Sequence, residues 1–252
     1  MKILLSIVAR PWRQLLVVGL SVLSWAAAAQ TDNDAHDSWQ FSGDVSLSSD
    51  YIYRGISLAE GTTSPQIKAW LGHESGWFAS AWLSKADIGG LGGQARSRDW
   101  EAEYSVGYRH LLNADWQLSV SNAWLEYRQQ NLPRNADYQE RRVQFDYQEK
   151  LTLFAAYTDA IWNTRHSQFV VAASARQHLP WQSIGEVEVG LVDLGQLDGD
   201  QYHYARVSIG RPFAKRWVGL LEYHYSGNTS GFFNSARTGS QVTVGLSYHF
   251  AH

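Results

Sequence analysis

The stretch Ser240-Gln-Val-Thr-Val-Gly-Leu-Ser-Tyr-His-Phe250 alternates without exception. Val242, Val244, Leu246, Tyr248 and Phe250 fall on one face of an extended chain, and Gln241, Thr243, Gly245, Ser247 and His249 on the other. Successive side chains of a strand point to opposite faces, so this period of two specifies a half-buried strand. The same alternation recurs upstream. Ile67, Ala69 and Leu71 interleave with Gln66, Lys68 and Trp70; Ala102, Tyr104, Val106 and Tyr108 with Glu101, Glu103, Ser105 and Arg109. Val143, Phe145 and Tyr147 interleave with Arg142, Gln144 and Asp146, and Phe169, Val171, Ala173 and Ala175 with Gln168, Ser174 and Arg176. Asn122 and Val218 break the pattern, and 151–158 reads in either register.

Twelve such segments are expected: 39–57, 65–72, 77–85, 99–110, 116–127, 140–147, 151–158, 167–176, 181–192, 202–211, 216–225 and 240–250. Most are about ten residues long, as a tilted membrane-crossing strand requires. The connections alternate in length. Those at 73–76, 111–115, 148–150, 177–180 and 212–215 are tight, and those at 58–64, 86–98, 128–139, 159–166, 193–201 and 226–239 are longer and polar. Short turns on one side and long loops on the other are the architecture of bacterial membrane barrels, which also carry an even strand number. A soluble sandwich has no reason to sort its connections this way. Lipid leaves no unsatisfied backbone group unpunished, so the strands must close into a ring. The expected fold is therefore all-β, a closed antiparallel transmembrane β-barrel of twelve strands with apolar faces toward lipid and polar faces toward the lumen.

Both ends of the chain agree. Lys2, Arg10 and Arg13 precede the apolar run Leu15 to Trp25 and then Ala26 to Ala29. A basic start, a short apolar core and small residues at the exit make a secretory signal peptide over 1–29, with a barrel domain over 30–252. The strand at the other end resembles the C-terminal signal of bacterial outer-membrane barrels, with Thr243, Gly245, Tyr248 and Phe250 at its fixed spacings. That likeness implies the barrel-insertion machinery as a partner, with outer-membrane lipid and lipopolysaccharide as surroundings. Ala251 and His252 depart from it by following the terminal aromatic.

Composition excludes several classes. Cysteine is absent, so no disulfide framework, thiolate metal site or thiol nucleophile exists. The chain has 12 Trp and 13 Tyr, rings that favour the headgroup layer and suit two interfacial girdles. Removing the signal leaves 18 basic against 24 acidic residues, which argues against nucleic acid as a partner.

Ser49-Asp-Tyr-Ile-Tyr-Arg-Gly-Ile-Ser57, continuing to Pro65-Gln66, resembles the opening of the TorF-like porins, exported proteobacterial proteins. The likeness extends through Gly72-His-Glu-Ser-Gly-Trp-Phe-Ala-Ser-Ala-Trp-Leu-Ser84 and Glu103-Tyr-Ser-Val-Gly-Tyr108, about a quarter of the chain. It implies a porin-type barrel of the cell outer membrane with an unassigned solute, and brings no catalytic or cofactor-binding residues.

The residues themselves leave other chemistry to weigh. His73 and Ser75 have the spacing of the His-x-Ser pair of barrel phospholipases and lipid A deacylases, in which His is base to Ser. Gly76 stands where those enzymes carry Asn-Gly, and the pair falls on a short turn, so a hairpin is the expected use. His203 has no second His at ligand spacing, His224 with Glu222 is a fragment of a metal site, and Asp193, Asp198 and Asp200 fit a solvated loop better than a cation site. No catalytic, cofactor or metal site is expected.

Lumen charges are the informative set. Bases are Arg54, Lys68, Arg109, Arg142, Arg176, Arg206 and Arg211; acids are Asp44, Asp50, Glu101, Glu103, Asp146, Glu186, Glu188 and Glu222. Near cancellation predicts weak ion selectivity. Asp50 and Arg54 share a face, and the expectation is a salt bridge pinning the first strand, the alternative a constriction or ligand contact. Twelve strands lie between barrels filled by side chains and barrels that hold a channel. The leading expectation is a porin-like channel with a narrow pore for small polar solutes or ions. A barrel lipase or deacylase, and a structural or receptor barrel with a plugged lumen, are the alternatives.

Overall fold

The computed structural model describes residues 39–86, 99–128, 136–164, 166–195, 201–227, 229 and 237–251. Residues 1–29, where the signal peptide is expected, lie outside them. In chain order the strands are β1 (Trp39–Ser48), the short β2 (Ile52–Tyr53) and β3 (Ile56–Ser57), β4 (Ser64–His73), β5 (Trp77–Ala86), β6 (Asp99–Leu111), β7 (Trp116–Arg128), β8 (Tyr138–Tyr147), β9 (Leu151–Thr158), β10 (Gln168–His178), β11 (Ile184–Asp193), β12 (Gln201–Ala214), β13 (Trp217–Gly227) and β14 (Gly239–Ala251). The twelve long ones form a closed antiparallel barrel, each pairing with its neighbours in sequence once the two short ones are set aside. β1 closes the ring by pairing with both β4 and β14, from Ser42 opposite Ala251 to Ser48 opposite Gly245. No helix among the described residues is long and apolar enough to cross a membrane, which says nothing of crossing by strands.

Ten residues at about 3.3 Å each, tilted about 40°, span about 25 Å, the height of the apolar band of such barrels. The outer surface carries that band: Val45, Ile67, Leu83, Val106, Val120, Val143, Leu153, Val187, Val207, Leu221 and Val244 are all exposed there. Outward aromatic pairs mark its short-turn edge. Trp77 lies 5.4 Å from Tyr108 between ring centroids, Trp116 lies 5.0 Å from Tyr147, and Trp217 lies 5.1 Å from Tyr248. Trp100, Trp124, Tyr157 and Phe169 stand at the opposite edge. Asn122 does point outward beside Val120 and Trp124, and Val218 inward. β9 settles with Thr152, Phe154, Ala156 and Thr158 inward.

The sorting of connections holds. Residues 74–76, 112–115, 148–150, 179–183 and 215–216 turn at the end where β1 begins and β14 finishes, and the longer connections lie at the other. β11 starts at Ile184, not at Trp181, because Trp181 and Gln182 take positive φ in the turn before it.

The first expected strand is wrong in kind. Alternation through 39–57 predicts one strand, but the chain leaves the wall after Ser48 and folds back as a small hairpin of β2 and β3. Nineteen residues would overshoot a band that about ten can cross. Arg54 and Gly55 both have positive φ, 50° and 79°, the two-residue turn whose twist suits a hairpin. Gly55 is needed twice over, since a Cβ there would lie 2.7 Å from Cβ of Tyr204.

Candidate functional site in the barrel lumen

Alternation turns the polar face of every strand inward. Lys68 on β4, Glu101, Glu103 and Arg109 on β6, Arg142 and Asp146 on β8, Arg176 on β10, Glu186 and Glu188 on β11, Arg206 on β12 and Glu222 on β13 all occupy inward positions. Asp50 and Arg54 reach the interior from the inserted hairpin. Arg211 does not join them. Five residues from Arg206, it has the opposite parity and is exposed on the outer face.

Two ion-pair networks face each other across the lumen. On the β6–β8 wall, Arg142 makes a two-pronged pair with Glu103, 2.6 and 2.8 Å, and its Nε donates to Glu140 at 2.6 Å. Arg54 donates both Nη groups to the same Glu140, 2.8 and 2.9 Å, and one of them to Gln168 at 2.9 Å. Glu101, fully buried, accepts from the Tyr127 hydroxyl at 3.0 Å. On the β10–β14 wall, Arg206 is shared by three carboxylates: Glu186, Glu188 at 2.9 Å and Glu222 at 3.2 Å. Arg176 adds a pair to Glu186 at 2.7 Å, and Thr243 donates to Glu222 at 3.2 Å. Buried charges are expensive unless paired and hydrogen-bonded, and planar guanidinium forks do both at once.

Nearer the short turns the charges are spread out. Asp44 and Lys68 face each other across β1 and β4, Arg109 lies over the Trp70 ring at 5.5 Å, and Asp146 accepts from Gln144 and Thr152.

The expected Asp50–Arg54 salt bridge is absent. Asp50 instead ties the hairpin's own ends, accepting from the Ser57 hydroxyl at 2.8 Å and from the Tyr51 N–H at 2.7 Å. Arg54 is aimed across the interior at Glu140. The hairpin has two further anchors. Ser49 exchanges hydrogen bonds with Val244 of β14, and fully buried Arg237 donates to the Ser57 carbonyl at 3.1 Å and pairs with Glu60 at 2.6 Å. Tyr51, Tyr53, Ile56 and Leu58 pack against Trp82, Leu125, Tyr127, Tyr138, Val170, Val192, Tyr202 and Tyr204. An apolar core therefore fills much of the loop-side half of the lumen. A cavity of about 40 Å³ remains beside the hairpin, along β13, β14, β1 and β4, lined by Asp50, Glu222, His224, Thr243, Ser46, Ser48, Gln66 and Ser247 among others.

Glu140 is the functional residue that the sequence reading missed. It shares parity with Arg142, so the same alternation that placed Arg142 inward also placed Glu140 there. With Glu140 added and Arg211 removed, the described interior holds nine carboxylates (Asp44, Asp50, Glu101, Glu103, Glu140, Asp146, Glu186, Glu188, Glu222) against six bases (Arg54, Lys68, Arg109, Arg142, Arg176, Arg206), besides the Arg237–Glu60 pair. The near cancellation expected from the sequence becomes an acidic excess.

The terminal strand positions its four marked residues differently from one another. Thr243 joins the Glu222 network inside, Gly245 lines the cavity, and Tyr248 packs on Trp217 outside. Phe250 lies over Gly43 of β1, where a Cβ would come within 2.6 Å of the ring.

His73 and Ser75 do meet: Nδ1 lies 2.7 Å from the hydroxyl and also accepts from the Ser75 N–H at 3.2 Å. His73 ends β4 half-buried and Ser75 is exposed on the turn that follows, and the bonding is that of a side chain closing its own turn. His224 approaches Glu222 at 3.6 Å, while His203 packs beside Tyr225. Asp193 binds the Gly195 N–H at 2.8 Å and Gln201; Asp198 and Asp200 lie outside the described residues. Among the described residues, no three His, Asp or Glu side chains gather as a metal site would need.

A family model described as "Bacterial protein of unknown function (Gcw_chp)" matches residues 32–169. No curated protein matches the chain. In fold the barrel is similar to NanC porin, with 12% identity, TM-score 0.53, and 82% of this chain and 98% of that one covered. It is similar also to KdgM porin, with 9% identity, TM-score 0.51, and 84% and 99% covered. A second KdgM structure, titled as a complex with disordered oligogalacturonate, matches equally, with 9% identity, TM-score 0.51 and the same coverage. At these identities the likeness is one of fold.

Proposed function

The chain belongs to the Gcw_chp family, and we propose that it is a porin-like channel of the bacterial outer membrane for passive diffusion of small polar solutes or ions. One observation carries the reading: a closed twelve-stranded wall is apolar outside and carries inward charged side chains on eight of its strands. An outer face of that kind belongs in lipid, and a charged interior sealed from lipid is of use to what passes through it. The resemblance of 49–57 and 72–84 to TorF-like porins supports the same role. Export by a signal over 1–29, delivery to the insertion machinery through the final aromatic strand, and contact with lipopolysaccharide at the long loops complete the proposal.

We read the barrel as a channel rather than an enzyme. The His73–Ser75 pair sits at the short-turn end, which in this placement faces the periplasm, away from the outer leaflet where barrel lipases act. The oligogalacturonate of the KdgM complex is a chain of carboxylates. An acidic interior with a cavity of about 40 Å³ suits ions and small solutes better than such a polyanion.

Refolded protein in a planar bilayer tests this. Discrete single-channel steps are expected in potassium chloride. A folded, inserted barrel that gives no steps, and liposomes that fail to swell in small polar solutes, would overturn it. Release of fatty acid from phospholipid, abolished by Ser75→Ala, would establish the enzyme in its place.

A further inference from the structure

What the hairpin leaves open is not chemically neutral. The cavity beside it is bounded by the inward faces of β13, β14, β1 and β4 and by the hairpin's first residues. Among the described residues that line it are two carboxylates, Asp50 and Glu222, one histidine, His224, and no lysine or arginine. The remaining lining is hydroxyl, amide or apolar, including Ser46, Ser48, Gln66 and Thr243.

Neither carboxylate is fully balanced. Asp50 is held by the Ser57 hydroxyl and the Tyr51 N–H, both neutral donors. Glu222 lies 3.6 Å from His224 and pairs with Arg206, and the two guanidiniums of Arg206 and Arg176 are divided among Glu186, Glu188 and Glu222. The whole described interior repeats the bias, with nine acids to six bases. A narrow space with low-dielectric walls concentrates the field of such charges and raises the local concentration of counter-ions.

Resting on the channel reading, we infer that this space is a cation path, which passes small monovalent cations in preference to anions, and that Asp50 and Glu222 set the preference. A carboxylate about 4 Å from a hydrated ion is worth roughly fivefold in local cation occupancy at the dielectric of water. Hydroxyls and the Gln66 amide offer oxygen atoms to a cation that has shed part of its hydration. Anions meet acid oxygens along the same wall.

The experiment is the reversal potential of wild-type protein in a planar bilayer across a potassium chloride gradient. The expected sign is that of potassium permeating faster than chloride. Asp50→Asn keeps an oxygen for Ser57 and Tyr51 while removing the charge, and should cut the permeability ratio by roughly up to fivefold. Glu222→Gln should move it the same way. Glu126→Gln, on the outer face beside Arg128, should leave it unchanged. The wild-type preference should also fall as salt rises, because the Debye length shrinks from about 10 Å at 0.1 M to about 3 Å at 1 M.

The two ideas fail differently. A folded barrel without current overturns the channel reading and the path with it. Current with no preference, or with chloride faster, overturns the cation path and leaves the channel standing. Cation preference that survives Asp50→Asn and Glu222→Gln in barrels of normal heat-modifiable migration overturns the assignment to those residues. If either variant fails to fold, the wild-type sign and its salt dependence still decide whether the path prefers cations.

Discussion

Replacing Arg54 by alanine should release the hairpin from the lumen. Burial of Tyr51, Ile52, Tyr53, Ile56 and Leu58 contributes about 10 kcal/mol at about 2 kcal/mol for each side chain. Ordering residues 50–59 costs about 10–15 kcal/mol in backbone entropy. The hairpin is therefore near balance before its polar anchors are counted, and Arg54 itself sits in the left-handed region, at φ 50°, where a side chain is strained. Its guanidinium makes two bonds to Glu140 and one to Gln168, all within 2.9 Å and deeply buried. Breaking a buried ion pair costs about 3–5 kcal/mol, and because Glu140 keeps Arg142 the lower figure applies. About 3 kcal/mol corresponds to a shift of roughly a hundredfold in the open-to-closed ratio. The chain has no cysteine, so Ile56→Cys supplies a single thiol on a side chain that is now 3% exposed. Its rate of reaction with a soluble maleimide should rise by roughly a hundredfold when Arg54→Ala is added, with larger single-channel steps. Arg54→Lys, which cannot fork, should fall between. Equal labelling rates with and without Arg54→Ala, in barrels of equal heat-modifiable migration, would refute the anchoring role.

Phe250→Ala removes the ring that covers Gly43 and packs 5.9 Å from Phe41, and should lower the yield of heat-modifiable barrel in the outer membrane. Val143→Arg places a charge on the exposed face midway along β8 and should destabilise the lipid-embedded barrel by about 2–4 kcal/mol, read by urea titration in vesicles. Unchanged midpoint would mean that this face does not meet lipid. Glu101→Gln with Glu103→Gln should shift the reversal potential less than Asp50→Asn does, since neither residue lines the cavity beside the hairpin; an equal or larger shift would place the conducting path along the β6 wall.

The barrel wall was legible because alternation records the environment of each residue separately. Ile67 and Lys68 differ by one position and face lipid and lumen, and nothing else about them needs to be known. The same rule, applied more strictly, separates Arg206 from Arg211 and joins Glu140 to Arg142 by parity alone. What alternation does not encode is where an alternating chain stops being wall. Tyr51 and Tyr53 continue the apolar parity of Val45 and Leu47, and Asp50 and Arg54 the polar parity of Asp44 and Ser46, so the rhythm of β1 runs on into the hairpin. Two local signals were present: a nineteen-residue run where about ten suffice, and an Arg-Gly step suited to a two-residue turn. The partner of Arg54 was beyond sequence, since Glu140 lies 86 residues away and is met only when the ring closes.

That insert changes how the interior charges should be weighed. Summed over the wall, they suggest a weakly selective pore averaged over many side chains. The structure divides them. Glu103, Glu140, Arg54 and Arg142 are used up holding the hairpin to the β6–β8 wall, each charge answered within 3 Å by another. Salt reaches such dry, mutually saturated groups poorly, so they contribute rigidity more than field to a passing ion. Asp50 and Glu222 border the cavity beside the hairpin, one held by neutral donors and the other beside His224 at 3.6 Å and an Arg206 that also serves Glu186 and Glu188. Selectivity in this barrel should therefore respond steeply to two acids and weakly to the larger network, whereas closure should respond to the network and hardly to those acids. Measuring conductance and ion preference on the same set of variants separates the two roles, and a single residue that moved both equally would show that wall, hairpin and path act as one element.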